Sequence, residues 1–460
     1  MKIKSNNNIS SSFRDPSGFV FIQDNCIYRQ INLSYKENYD GLINSGLYTE
    51  LTKLKLLIPH EEINLDNVES IAYKILKPEQ IPFISYPYEW CFSQLKDAAL
   101  LTLEVQKKAL NYGMTLKDAS AYNVQFIDGK PIFIDTLSFE KYKEGQPWIA
   151  YKQFCQHFLA PLVLMAYKDI RLNQLLRIYL DGIPLDLASS LLAIKTYLKP
   201  AILTHIHLHS KSQQHYSDKP ISTKTGKISK FTFLALIDNL ETTIKSLKLP
   251  VLNTEWGNYY NDTNYTTDAF ECKKQILEEF VNKINPLNLW DLGANTGLFS
   301  RIASNKNINT ISFDVDPIAV EKNYLKVKNN KEKNIIPILI DLTNPSPGIG
   351  WENDERNSFI ERGPVEMIFA LALIHHLAIS NNLPFEKITN FFNKICNYLV
   401  IEFVPKTDSQ VKKLLATRED IFINYNQECF ETQFEKTFNI LVSRKIEGTE
   451  RTLYLMQRKV

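Results

Sequence analysis

The stretch Asp291-Leu292-Gly293-Ala294-Asn295-Thr296-Gly297 constrains this chain more than any other part of it. A short apolar run, Asn288 to Leu292, is stopped by Gly293, and a helical pattern follows from Phe299. That order is a strand, a tight loop and a helix. Gly293 permits the turn, and Gly297 lets the helix start close to a ligand. The free N–H groups at such a helix start can bind a carboxylate or phosphate. The competing reading is a strand–turn–helix with no ligand.

The residues around this loop repeat the alternation. Phe270 to Ile284 carries apolar residues at helical spacing. Thr310 to Phe313, Ile335 to Ile340, Val365 to Leu373 and Tyr398 to Val404 read as strands, with a helix at Pro317 to Val327. Phe438 to Val442 and Thr452 to Met456 read as a closing hairpin. Apolar runs that do not alternate suit strands covered on both faces. The pattern predicts an α/β fold, a Rossmann-like, mainly parallel, doubly wound sheet over residues 255–460. Two acids fall at successive strand ends, Asp314 and Asp341. A carboxylate after the second strand suits ribose hydroxyls, in dinucleotide enzymes as elsewhere. The loop departs from Gly-x-Gly-x-x-Gly, in which pyrophosphate approaches the backbone.

Residues 255–460 resemble the class I S-adenosylmethionine-dependent methyltransferase superfamily. The whole chain resembles bacterial proteins of the nodulation host-specificity methyltransferase family. The closer match is carried by Phe13-Arg14-Asp15-Pro16-Ser17-Gly18, Ser85-Tyr86-Pro87-Tyr88-Glu89-Trp90, Leu116-Lys117-Asp118-Ala119-Ser120-Ala121-Tyr122-Asn123 and Ala370 to Leu377. The resemblance implies S-adenosyl-L-methionine as cofactor. Asp291, Gly293, Asn295 and Gly297 would hold its methionine end, Asp314 its ribose, and Asp341 its adenine, with Ala370 beside them. His375 or His376, after the fourth strand, would orient or deprotonate an acceptor, since imidazole titrates near neutrality. The alternative is that one caps a helix and the other packs. Glu402, ending the fifth strand, is a third acceptor-contact candidate. The acceptor implied is loosely a glycan or related small molecule. Residues between the third and fourth strands, Trp351, Glu355, Arg356, Glu361 and Arg362, read either as a loop over the site or, in preference, as a solvated charged helix.

The first part of the chain reads as a disordered tail over residues 1–12 and an α+β domain over residues 13–208. A linker with a connecting helix follows over residues 209–254. Within the domain, Asp118 stands five residues before Asn123, and Asp135 ends a nearby apolar run. That is the spacing of a kinase catalytic loop and its metal-binding aspartate. It makes Asp118, Asn123 and Asp135 a candidate nucleotide site. A kinase-like or pseudokinase protein with a cofactor-sensing second domain is therefore the alternative function. Departures stand against phosphoryl transfer. Leu116 occupies the position where kinases often carry histidine, Gly18 is alone where a glycine-rich loop belongs, and only Lys74 and Lys77 are candidates for the strand lysine. The bland reading is a hairpin turning at Asp128-Gly129. His205, His207 and His209 alternate as in a strand but suit a helical or surface cluster, and no metal site is predicted. Tyr86, Tyr88 and Trp90 suit either sugar stacking or core packing.

The 460 residues suffice for two domains with real cores, at 44% hydrophobic and 23% charged. A net charge of +2 gives no broad basic field for nucleic acid. The six cysteines are widely spaced and read as reduced thiols. No apolar leader or membrane-length run is apparent, so a cytoplasmic location is expected.

Overall fold

The computed structural model describes residues 8–65, 69–210, 228–250, 266–416 and 418–459. The chain divides into two compact units. The first is Met1–Val251 with Ile349–Arg356, and the second is Leu252–Gly348 with Asn357–Val460.

In the first unit, β1 (Gly18–Gln23), β2 (Cys26–Asn32), β3 (His60–Ile63) and β4 (Ala72–Pro78) form an antiparallel sheet in the order β1-β2-β4-β3. Helix α1 (Lys36–Asn44) follows β2, and the long α2 (Phe92–Asn111) follows the sheet. Two small pairs complete it: β5 (Met114–Leu116) with β8 (Phe139–Lys141), and β6 (Val124–Ile127) with β7 (Lys130–Phe133). The β6–β7 hairpin turns at Asp128 and Gly129, both at positive φ, as two-residue turns require. Residues 8–12 were expected in a disordered tail, and residues 1–7 lie outside the described part. Ile9 N–H donates to Val20 O at 2.9 Å, and Ser12 Oγ accepts from Val20 N–H at 2.8 Å, so this strip is paired along β1.

The expected connecting helix is α3 (Lys230–Ser246), and it belongs to the first unit. It packs on α2, where Lys107 Nζ meets Asp238 at 2.5 Å and Lys96 Nζ donates to Leu247 O at 2.7 Å. The rest of the expected linker, residues 211–227 and 251–254, lies outside the described residues. His205 and His207 are helical, in a π-helical stretch, and both are buried polar core residues. Their ring nitrogens meet Tyr151, Asn239, Ser189 and Thr196. Tyr86, Tyr88 and Trp90 are buried around a short 3-10 turn, so the sugar-stacking reading gives way to core packing.

The second unit holds a seven-stranded sheet. Its strands are β9 (Asn288–Leu292), β10 (Asn309–Asp314), β11 (Ile335–Leu339), β12 (Val365–Ala370), β13 (Cys396–Phe403), β14 (Phe438–Lys445) and β15 (Thr452–Arg458). Their order is β11-β10-β9-β12-β13-β15-β14, with β9 to β13 parallel and β15 antiparallel to both neighbours. Counted from β9, this is 3-2-1-4-5-7-6, a mainly parallel sheet with the expected antiparallel hairpin at one edge. Helix α4 (Thr267–Ile284) begins where Thr266 Oγ1 accepts Ala269 N–H at 3.2 Å and ends where Asn285 turns left-handed. It buries Leu277 and Phe280 against Leu289, Phe369 and Leu455. Each such side chain contributes about 1.5–3 kcal/mol. Helix α5 (Ser300–Ser304) follows the glycine loop, and α6 (Pro317–Asn330) follows β10. Among the described residues no helix is long and apolar enough to cross a membrane.

Candidate functional site

The strand order places the ends of β9, β10 and β11 side by side, where parallel sheets of this kind bind ligands. Asp291 sits at the end of β9 with about 1% exposure. Its Oδ2 accepts from Ser300 Oγ at 2.6 Å. Burial lifts its pKa to about 7, against the pull of Ser300 and the nearby Lys273 charge. Gly293 adopts φ +79°, and its N–H donates to Phe313 O at 2.9 Å. A Cβ there would meet only the Leu373 Cδ1 methyl, at 3.5 Å. This face of the loop is therefore open to a ligand. Gly297 is different. A Cβ at Gly297 would lie 2.5 Å from Asn323 Nδ2 and 2.8 Å from Arg301 Nη1. Its missing side chain makes room for Asn323 of α6 and for Arg301, and its φ of +71° suits glycine.

Asp314 ends β10, buried, with both oxygens engaged. Oδ2 accepts Asn295 N–H at 2.7 Å, and Oδ1 accepts Asp316 N–H at 2.8 Å. Burial raises its pKa to about 6 despite these bonds. Asn295 is left-handed at φ +52°, which asparagine tolerates. Asp314 thus ties the glycine loop to β10, leaving further lone pairs for hydroxyl donors. Asp316 caps α6 by accepting from Ile318 and Ala319 N–H. Asp341 lies just beyond β11, exposed, its Oδ1 accepting from Thr343 N–H at 2.8 Å.

Ala370 ends β12 fully buried, and Phe369 pairs with Asp291 in register. The chain then turns through Ala372, a left-handed alanine at φ +49°. His375 and His376 follow with ring centroids 4.2 Å apart. His375 is sealed at 2% exposure, and burial drives its pKa well below the usual value. His376 is half-buried, with its pKa lowered by burial to about 4. Burial favours the neutral ring in both, and only His376 keeps partial exposure.

Glu402 is no acceptor contact. It is fully buried, and its carboxylate is used up inside the protein. Lys273 Nζ lies 2.6 Å from Oε2, Arg451 Nη1 lies 3.3 Å from Oε1, and Ala372 N–H donates to Oε2 at 2.8 Å. Asp408 holds the Arg451 fork in turn, at 2.7 and 3.1 Å. Sequence reading missed Lys273, Asp408 and Arg451. Lys273 had a signal: it falls three residues from both Phe270 and Ile276, on the apolar face of α4.

In the first unit, Asp118, Asn123 and Asp135 do come together. Asn123 and Gln153 donate to Asp118, whose pKa is raised by burial first and by the Asp135 charge second. Arg29 of β2 forms an ion pair with Asp135, occupying the carboxylate that a kinase gives to its metal. Lys74 pairs with Glu62 of the neighbouring strand at 2.5 Å rather than with a helix glutamate. The β1–β2 hairpin closes on Asp24 and Asn25, so no glycine-rich loop stands over this site. Gly18 packs where a Cβ would strike Gln30 O at 2.1 Å. Among the described residues no group of three or more His, Cys, Asp or Glu is placed to hold a metal.

The segment Ile349–Arg356 belongs to the first unit; Trp351–Asn353 form an exposed 3-10 turn, as the solvated-helix reading expects, while Glu355 and Arg356 are engaged by the protein. Glu355 is buried, accepts from Arg14 Nε at 3.0 Å and from Trp351 N–H at 3.0 Å, and Arg356 lies 4.3 Å over the Tyr122 ring.

No family model matches the chain. It is 34% identical to the nodulation protein NoeA of Rhizobium meliloti (strain 1021), over 98% of this chain and 96% of that protein. Solved structures show weaker likeness. The N-methyltransferase NodS from Bradyrhizobium japonicum WM9 matches at 11% identity and TM-score 0.32, covering 42% of this chain and 98% of NodS. WbdD matches at 12% identity and TM-score 0.30, covering 44% of this chain and 42% of WbdD. Magnesium protoporphyrin IX methyltransferase from Synechocystis PCC 6803, with bound SAH, matches at 14% identity and TM-score 0.30, covering 44% of this chain and 93% of that one.

Proposed function

The chain belongs to the family of the nodulation protein NoeA, and from that premise we propose that it is an S-adenosylmethionine-dependent methyltransferase. One observation carries the reading. The 3-2-1-4-5-7-6 sheet sets Asp291, Asp314 and Asp341 at the ends of three adjacent strands around a glycine loop with an open face. The residues fit the cofactor. Asp291 is a buried carboxylate suited to an ammonium group, Asp314 has lone pairs for ribose hydroxyls, and Asp341 is an exposed acceptor for an adenine amino group.

When bound, S-adenosylmethionine supplies a sulfonium-linked methyl group open to in-line attack. The protein's part is mainly positioning. Gly293 and Ala294 N–H groups bind Phe313 O and keep the loop against β10. Ala370 ends the strand beside it, and neutral His376 orients the acceptor by hydrogen bonding, its lowered pKa of about 4 making it a weak base. His375 packs behind. The proposal extends to a glycan or related small molecule as acceptor, bound with the help of the first unit, in the cytoplasm. Family resemblance supports the glycan acceptor.

The test is transfer of labelled methyl from S-adenosylmethionine into a glycan-containing extract by the purified full chain. Label in a saccharide fraction, with S-adenosylhomocysteine formed in equal amount, is the expected result. S-adenosylhomocysteine formed with label in a different fraction rejects the acceptor class. Absence of both rejects the reading.

A further inference from the structure

We propose that Glu402, backed by Lys273 and Arg451, is a positioning residue for the cofactor loop, acting through the Ala372 N–H to hold Leu373 opposite Gly293. The proposal rests on the methyltransferase reading for the identity of the ligand. It does not rest on it for the contact itself.

Four charged side chains converge beneath the turn that follows β12. Lys273 comes from α4 and lies 4.6 Å over the Phe299 ring, just past the glycine loop. Glu402 comes from β13, one residue beyond Ile401, the partner of Ala370. Arg451 precedes β15, and Asp408 follows β13. Lys273, Glu402 and Arg451 are each at most 2% exposed. Burying such a network gains little stability over well-packed apolar side chains. An apolar residue at 402 could fill the space, but it could not accept a hydrogen bond.

The bond it accepts comes from a residue held in an unfavourable conformation. Ala372 is left-handed, a conformation that costs an L-residue energy and persists only when its surroundings enforce it. The Glu402 carboxylate takes the Ala372 N–H at 2.8 Å, and Lys273, on the same oxygen, holds that carboxylate still. The next residue is Leu373, whose Cδ1 stands 3.5 Å from the position of a Cβ on Gly293. The turn therefore sets the space left above the open face of the loop.

The test compares two double variants of the full chain, Lys273→Met/Glu402→Gln and Lys273→Met/Glu402→Leu. Both remove the same charges, and Arg451 keeps Asp408. Only glutamine can still accept from Ala372. Binding of S-adenosylhomocysteine is measured by calorimetry, with near-ultraviolet circular dichroism as the check on folding. The glutamine variant is expected within about threefold of the parent, and the leucine variant weaker by about tenfold or more. Equal affinities overturn the proposal, whether both match the parent or both fall together. If the leucine variant does not fold, or the parent binds no S-adenosylhomocysteine, amide exchange in the parent decides. A protected Ala372 N–H supports the contact, and exchange at the rate of an exposed loop overturns it. Failure of the parent to bind rejects the methyltransferase reading separately.

Discussion

Asn295 donates its backbone N–H to Asp314 at 2.7 Å, so the carboxylate expected to take ribose hydroxyls also clamps the glycine loop. Its second oxygen is committed to Asp316 N–H. An amide at this position has one acceptor oxygen for two donors. Asp314→Asn is therefore expected to lower stability by about 1–3 kcal/mol, read by urea unfolding, and to weaken S-adenosylhomocysteine binding as well. Unchanged stability would remove the clamp.

Asp291 titrates near 7 in the folded protein because it is buried, while the unfolded chain releases the same proton near about 4. As pH rises between these values, the unfolded state loses its proton first. The parent should therefore lose stability relative to Asp291→Asn from about pH 4 to about pH 7, and hold level above that. A ligand ammonium group favours the carboxylate form. S-adenosylhomocysteine affinity should then fall as pH drops below about 7 in the parent, and fall less and only below about pH 6 in Asp291→Asn, where Asp314 still titrates. Urea unfolding and calorimetry at pH 5 and pH 8 read both effects.

The Lys273–Glu402 pair predicts a non-additive cycle. Lys273→Met alone leaves a buried carboxylate with less compensation and should cost about 3–5 kcal/mol. Adding Glu402→Gln should recover a sizeable part of that loss. Additive costs in chemical denaturation would mean the two side chains do not interact.

The left-handed alanine predicts a gain. Ala372→Gly should stabilise the fold by roughly 0.5–1 kcal/mol, because glycine adopts positive φ without the Cβ penalty. A loss of stability would contradict the turn geometry.

The glycine loop, the alternation of strands and helices, and the acids at strand ends were legible because each leaves a local mark. Gly293 stops an apolar run, Asp314 and Asp341 follow apolar runs, and Asp316-Pro317 starts a helix. The Asp128-Gly129 turn was legible for the same reason. The network under the site was not. Lys273 and Glu402 stand 129 residues apart, and their contact exists only once α4 and β13 share a core. Ala372 gave no hint, since alanine is no marker of a left-handed turn. Gly297 was read for ligand approach, and its packing against Asn323, a second reason for glycine there, appears only in the fold. The segment Ile349–Arg356 carries mostly polar and charged residues, and only the fold reveals that Glu355 and Arg356 are engaged by Arg14 and Tyr122. Spacing grouped Asp118, Asn123 and Asp135, which the fold brings near one another, but it could not reveal Arg29 on Asp135.

The decisive experiment is a calorimetric titration of the full chain with S-adenosylmethionine, S-adenosylhomocysteine, NAD and Mg-ATP, repeated on Gly293→Val. A valine there is strained at φ +79° and fills the open face toward Leu373. Binding of the first two ligands, lost in the variant, is the predicted result. Binding of NAD or Mg-ATP without them, or S-adenosylhomocysteine binding unchanged in Gly293→Val, would contradict the site.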